Sequence, residues 1–347
     1  MKIGILTWYF GANYGAKAQA YALQQTILKL GYEVCMINYK PEVYKKVNIG
    51  TNLNVEHAKR HPLLYYKCIR RVKKLWHFNK KYNETCCVKA GTDIDDLNLD
   101  YIVFGSDAIF NVEHVLFRDI YMGVGIEKTK KISYAPSCED LNPNYRLNEQ
   151  CIESLKQFKS ISVRDEHTQE LILKNVNRKA IRVLDPTLLY DFKNITTEWD
   201  EENYILIYTF SAWNQYRQQL KEFAKSKGLR IVAVGRYCDW ADKCYVSASF
   251  EEWICSFRKA SYVFTDSFHG TVFSIKNSKE IILCSRIDKR DKIQSLLNDA
   301  GIHRGFYSGK NLIEDYLINE PIDYSMVNKN INKYVTASID FLKKSLN

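Results

Sequence analysis

The residues best suited to chemistry in this 347-residue chain stand just after short apolar runs that read as strands. His269 follows the run Tyr262 to Thr265 and sits within Asp266-Ser267-Phe268-His269-Gly270-Thr271. An imidazole exchanges a proton near neutral pH, so a histidine there suits general acid or base work. Gly270-Thr271 leads into a helical pattern whose first amides suit a phosphate. Arg164 stands just past Ile161 to Val163, where a guanidinium can fork onto a carboxylate or phosphate. Each residue has a plainer reading: His269 as a satisfied structural histidine, and Arg164 with Asp165 as a surface ion pair contributing ~0–1 kcal/mol. Asn13-Tyr14-Gly15 reads equally well as a turn or as a ligand contact, and Ser106-Asp107 as a helix N-cap or a ligand contact.

The elements that position these residues follow the α/β pattern. Lys2 to Thr7 reads as a strand, the segment from Phe10 to Gly15 as a turn, Ala16 to Leu30 as a helix closed by Gly31, and Glu33 to Tyr39 as the next strand. Further strands are expected at Tyr101 to Phe104, Ile132 to Ala135, Ile161 to Arg164 and Arg182 to Leu184, with a helix over Asp165 to Lys174. Beyond a polar linker at Phe192 to Glu202, Tyr204 to Thr209 opens a second series: helix Tyr216 to Lys227, strand Leu229 to Val234, helix Phe250 to Lys259, strand Tyr262 to Thr265, a helix after His269 and strand Ile281 to Cys284. Ile331 to Leu346 reads as a terminal helix. In such folds ligands lie at the carboxyl ends of the strands, where His269 and Arg164 fall. The expected domains are 1–192, 203–325 and a helix over 326–347 that packs back on the first.

Length points to two α/β domains. The net charge of +10 calls for an anionic partner, and the excess is concentrated between Lys40 and Lys89, a segment that includes most of a basic helical insertion at about 55–90. There the stretch His61 to Tyr82 can place Leu64, Cys68, Val72, Leu75, Trp76 and Phe78 on one helical face, with Lys and Arg opposite. Such a face is a solvated surface by default and a contact with anionic lipid in the sharper reading. The start lacks a secretory signal pattern and no window holds the ~18 apolar residues a membrane span needs, so a cytoplasmic protein is expected, peripheral at the inner face of the membrane in the lipid-contact reading. Ten cysteines without metal spacing read as reduced, buried small hydrophobes.

Five short segments resemble the polysaccharide pyruvyltransferase family. Asn13-Tyr14-Gly15-Ala16 with Gln19-Ala20-Tyr21-Ala22-Leu23-Gln24 is similar to its opening motif, and Gly105-Ser106-Asp107 with Asn111 to its second. Ser162-Val163-Arg164-Asp165 and Asp185-Pro186-Thr187 are similar to patterns closing the first half, and Thr265 to Thr271 to its D-S-F-H-G signature. The chain departs from the pattern at Lys17, Ala108, Phe110 and Ser133 to Cys138, on the acceptor side, which bears on acceptor identity more than on reaction type.

The resemblance implies a GT-B-like arrangement of two Rossmann-like domains facing a cleft, with phosphoenolpyruvate as donor, a sugar or lipid-linked oligosaccharide as acceptor, and neither metal nor cofactor. His269 is then the catalytic acid/base. Arg164, Ser267, His269, Gly270, Lys289 and Arg290 bind the donor, with Arg286 and Lys292 as further bases in that last loop. Asn13, Tyr14, Gly15, Ser106 and Asp107 contact the acceptor. Two other functions compete: a GT-B-type glycosyltransferase using a nucleotide sugar, since fold does not fix function, and a nucleic-acid-binding protein, suggested by Tyr65, Tyr66, Trp76 and Phe78 among the basic residues. The second is disfavoured by the charge balance of the remaining chain, and no nucleic-acid partner is expected.

Overall fold

The computed structural model describes residues 1–39, 61–82, 85–86, 93–210, 214–284 and 290–347, the side chains of 85 and 86 excepted. These residues form two compact units. The first draws on Met1–Thr51, Asn79–Asp191 and Lys333–Asn347, the second on Asn52–Phe78 and Phe192–Asn332.

The first unit is built on strands β1 (Lys2–Leu6), β2 (Glu33–Ile37), β3 (Thr85–Cys86), β4 (Tyr101–Phe104), β5 (Lys130–Ser133), β6 (Ser160–Val163) and β7 (Ile181–Arg182), in sheet order β3-β2-β1-β4-β5-β6-β7. Every pair is parallel. A parallel sheet must be covered on both faces, which is why β4 is apolar and buried at each of its four positions. Ile102 and Phe104 join a core with Ile152 and Leu155 of α3 (Glu149–Lys156) and Leu171 and Ile172 of α4 (Glu166–Val176). Val103 and Tyr101 point the other way, into a core with Leu23 and Ile27 of α1 (Tyr14–Lys29) and Phe341, Leu342 and Leu346 of the last helix, α11 (Tyr324–Leu346). The helix α1 is buried over nearly its whole circumference as far as Ile27, so its sequence lacks a clean amphipathic stripe.

The second unit holds β8 (Tyr204–Tyr208), β9 (Arg230–Val234), β10 (Lys243–Tyr245), β11 (Tyr262–Thr265) and β12 (Glu280–Leu283), in the all-parallel order β10-β9-β8-β11-β12. One face packs on Leu220 and Phe223 of α6 (Arg217–Lys227). On α7 (Phe250–Lys259), Trp253 packs against Tyr208 of β8 and Phe273 of α8 (Phe268–Lys276), with ring centroids 5.5 and 4.6 Å apart. A capping box between Ser249 and Glu252 starts α7, which explains its clear signature in the sequence. Helices α9 (Arg290–Ala300) and α10 (Ile313–Asn319) follow β12; α2 (Pro62–Tyr82) and α5 (Pro186–Leu189) complete the helices among the described residues.

Two expectations are corrected. On α2, Leu75 and Phe78 are buried, but Trp76 is 55% exposed and does not share their face. The helix is instead held by Phe78 against Phe250 (4.1 Å between centroids) and by Lys74 Nζ on Glu252 (2.9 Å), so residues 62–78 group with the second unit rather than the first. Cys138, Cys151, Cys238, Cys255 and Cys284 are buried free thiols, whereas Cys35 on β2 is disulfide-bonded and departs from the reading of all cysteines as reduced.

In the turn over Ile94–Leu97, the Asp95 carboxylate accepts hydrogen bonds from the amides of Glu127 (2.8 Å), Lys128 (3.0 Å) and Thr129 (2.9 Å) and from the Thr129 hydroxyl (2.7 Å). Partial burial acts to raise its pKa, but these donors outweigh burial and bring it down to about 2. A depressed carboxylate pKa stabilises the fold above the unfolded value of about 4, and that stability is lost as pH falls through the folded value. Asp95→Asn is therefore expected to flatten the acid limb of a melting-temperature profile between about pH 4 and pH 2, and an unchanged limb would refute the assignment.

Candidate functional site

Both sheets reverse their strand order at one point, between β1 and β4 in the first unit and between β8 and β11 in the second. At such a switch point the following loops diverge and leave a crevice at the strand ends.

In the first unit the loop after β1 is knitted to the loop after β4 by Gln19 of α1. Its Oε1 accepts from the Ser106 amide (3.2 Å) and hydroxyl (2.8 Å), and its Nε2 donates to the Ala16 carbonyl (2.9 Å) and the Thr7 hydroxyl (3.2 Å). Thr7 in turn donates to the Ser106 carbonyl at 2.8 Å. Lys17, fully buried, donates from Nζ to the Tyr9 carbonyl at 3.1 Å. Asn13 is the N-cap of α1, accepting from the amides of Gly15 (2.9 Å) and Ala16 (3.3 Å), and Tyr14 is buried in the first turn. Ser106 has no exposed surface, and the half-buried Asp107 takes φ 74°, its Oδ1 accepting from the Ala108 amide at 2.9 Å. No helix follows them, so the N-cap reading of Ser106-Asp107 does not apply.

Arg164, at the end of β6, is not a surface residue paired with its neighbour. Its Nη1 meets Asp185 Oδ2 at 2.7 Å, and the two side chains are 5% and 0% exposed. Burial works against the Arg164 charge, but the carboxylates of Asp185, Asp107 and Asp165 outweigh it and hold the guanidinium more firmly protonated than usual. Asp165 instead caps α4, taking hydrogen bonds from the Thr168 amide (2.8 Å) and hydroxyl (2.6 Å).

In the second unit Ser267 caps α8, accepting from the Gly270 amide at 3.3 Å, and His269 lies half-buried in the first turn with its ring edge-on to Phe268. The sequence therefore brings Ser267, His269 and Gly270 into one helix start at the carboxyl end of β11. Asp266 ties this turn to the loop after β8, accepting from the Phe210 amide at 2.7 Å. Arg290 opens α9 with its guanidinium over the Phe306 ring (5.5 Å). Lys289 and Arg286 lie outside the described residues. Among the described residues, no group of three or more His, Cys, Asp and Glu is placed to hold a metal ion.

The sequence model of the polysaccharide pyruvyl transferase family matches residues 13–288. The chain belongs to this family. No curated protein matches the sequence. Among solved structures, UDP-GlcNAc 2-epimerase from Neisseria meningitidis bound to UDP-GlcNAc is similar in fold (TM-score 0.57, 11% identity, covering 100% of this chain and 99% of that one). So are a putative UDP-N-acetylglucosamine 2-epimerase from Listeria monocytogenes (TM-score 0.54, 9% identity, 96% and 90%) and the S. aureus MnaA-UDP structure (TM-score 0.52, 8% identity, 95% and 90%). The fold is the GT-B type with two Rossmann-like units, as the sequence led one to expect.

In this pyruvyl transferase family member, Gly270 has a packing reason to be glycine. A Cβ there would stand 2.1 Å from Thr265 Oγ1 and 3.1 Å from a Tyr208 ring carbon. The Thr265 hydroxyl is fixed in turn, donating to the Tyr208 carbonyl at 2.6 Å and accepting from the Ser267 amide at 3.1 Å. Gly270→Ala is expected to destabilise by about 1–3 kcal/mol, read as a lowered melting temperature, because α8 must move off the sheet. A parent-like melt would show that the contact relaxes freely.

The sequence did not single out Gln19 beyond its motif, nor Arg71, Tyr208, Thr209 and Arg236. Gln19 was one of several polar residues in α1, with Lys17, Gln24, Gln25 and Thr26, and nothing in the spacing set it apart. Arg71 was hidden among seven basic residues of α2 and is distinguished only by burial, at 8% exposure.

Proposed function

We propose that this protein transfers the enolpyruvyl carbons of phosphoenolpyruvate to two hydroxyls of one sugar, in a cell-surface polysaccharide or its lipid-linked precursor, forming a pyruvate ketal and releasing phosphate. The observation that carries the reading is His269 in the first turn of α8, beyond the carboxyl end of β11, in a member of the pyruvyl transferase family. A proton goes to the methylene carbon, which becomes methyl, and a sugar oxygen bonds to the neighbouring carbon. The phosphate–carbon oxygen bond then breaks, and the second sugar oxygen bonds to the same carbon. The two hydroxyl protons balance the one gained by carbon and the one left with phosphate. His269 supplies the proton in this scheme, and the α8 turn that carries it is the donor-side group.

The test is phosphate release from phosphoenolpyruvate with candidate sugars, alongside thermal melting with phosphoenolpyruvate or UDP. Stabilisation by phosphoenolpyruvate supports the reading. A response to UDP alone would favour the second reading, a nucleotide-sugar glycosyltransferase, which draws on the UDP ligands named for the similar structures.

No helix among the described residues is long and apolar enough to cross a membrane. For a lipid-linked acceptor, α2 is the contact proposed with an anionic bilayer: it carries no acidic residue, and Leu63 (67% exposed), Tyr66 (56%) and Trp76 (55%) stand among its lysines and arginines. Salt-sensitive sedimentation with anionic vesicles is expected, weakened in a Tyr66→Ser/Trp76→Ser variant; no binding by the parent protein sinks the contact.

A further inference from the structure

We infer that Arg71 and Arg236 hold a phosphoryl group at the carboxyl ends of β8 and β9, beside the turn that carries His269. The inference deepens the reading above, on which the phosphorylated donor rests, and it assigns the donor's phosphate to residues outside the family motifs.

Arg71 reaches this place from α2. Its side chain is buried, and Nη1 donates to the carbonyl oxygen of Gly235, the residue after β9. Arg236 is the next residue. Its guanidinium stacks on the Phe210 ring at 4.8 Å and donates to the Phe210 carbonyl at 2.9 Å, in the loop after β8. Two guanidinium groups thereby meet at the loop after β9, one buried and bound to it from α2, the other facing solvent and tied across to the loop after β8.

Hydroxyl donors stand with them. Tyr208 ends β8 with its ring against Gly270, and its hydroxyl is in hydrogen-bonding contact with the Ser267 side chain. Burial raises the Tyr208 pKa, and the charges of Arg236 and Arg71 both oppose that rise, which places both cations within electrostatic reach of the hydroxyl. The neighbouring Thr209 is 4% exposed, and its hydroxyl has no hydrogen-bond partner among the described residues. Buried polar groups are nearly always satisfied, so an idle hydroxyl next in the chain to Phe210, on whose carbonyl Arg236 is anchored, marks a place for an acceptor-rich ligand. A phosphoryl group has three such oxygens, and guanidinium forks match them in charge and geometry. The His269 turn is fixed to the loop after β8 through Asp266, so a phosphate held here leaves the rest of the donor beside the imidazole.

The experiment is thermal melting of the full chain against inorganic phosphate, phosphoenolpyruvate and UDP, for the parent and for Arg71→Gln, Arg71→Lys, Arg236→Gln and Lys74→Gln. The concentrations for half-maximal stabilisation by phosphate and by phosphoenolpyruvate are expected to rise about 10- to 100-fold in Arg71→Gln and Arg236→Gln. Arg71→Lys should recover part of the loss, and Lys74→Gln, whose partner is Glu252, should match the parent. Parent-like phosphate binding in both glutamine variants overturns the inference, as does an equal loss in Lys74→Gln. Should Arg71→Gln fail to fold, the exposed Arg236 carries the test. Arginine-dependent stabilisation by phosphate and UDP, with none by phosphoenolpyruvate, would keep the subsite and sink the pyruvyl reading.

Discussion

His269→Ala is expected to lower phosphoenolpyruvate-dependent phosphate release by about 10²–10⁴-fold while melting close to the parent protein. The size follows from the value of a positioned proton donor. The stability forecast follows from the site: His269 is half-buried at a helix start whose cap is the Ser267 side chain, so its loss leaves the cap and the Thr265–Tyr208 contact in place. A His269→Gln variant separates shape from proton transfer. It should also be slow, and the pH dependence of the residual rate should lose the limb that the imidazole contributes. Activity within a few-fold of the parent would remove His269 from the chemistry.

The second large effect is on stability. Arg164→Ala removes one member of a buried ion pair and leaves Asp185, with no exposed side-chain surface, beside the empty position. Stranding a buried charge costs about 3–5 kcal/mol, which denaturant melts would register as a large fall in midpoint. Replacing both partners, as in Arg164→Met/Asp185→Leu, should recover much of that loss, because an apolar pair leaves no charge behind. Asp185 also holds the Thr187 amide (3.0 Å) and hydroxyl (2.6 Å), which limits the recovery. A fall below about 1 kcal/mol in Arg164→Ala would mean that the pair is solvated after all. Loss of activity in this variant speaks to donor binding only when measured on protein shown to be folded.

The fold was legible because its signals were local. The helix Phe250–Lys259 has both a capping box and a strong apolar stripe, and its bounds could be read directly, as could the strand Tyr262–Thr265. Short or half-covered elements were silent: β10 spans three residues with an exposed or half-buried pattern, and α3 is two turns long. The site was legible at motifs whose residues are neighbours in sequence, such as Ser267, His269 and Gly270. It was not legible where partners are distant in the chain. Arg164 finds Asp185 across 21 positions, and Arg71 finds Gly235 across 164, so neither pairing leaves a trace in spacing. Trp76 was misplaced because helical periodicity does not fix the edges of the covered stripe, and here Arg71, Leu75 and Phe78 are buried while Trp76 falls outside it.

The division of the chain between its units bears on synthesis. Residues 333–347 complete a core whose earliest members are Ile3 and Ile5, so the first sheet to leave the ribosome cannot cover Phe341, Leu342 and Leu346 until the last turns of α11 have emerged. The second unit, whose sheet is encoded later, has its final strand and the helix bearing His269 complete well before that point. A nascent chain halted at the linker would hold a parallel sheet with part of one face bare. That intermediate invites chaperone capture or aggregation, and it makes separate expression of either half a poor route to folded protein.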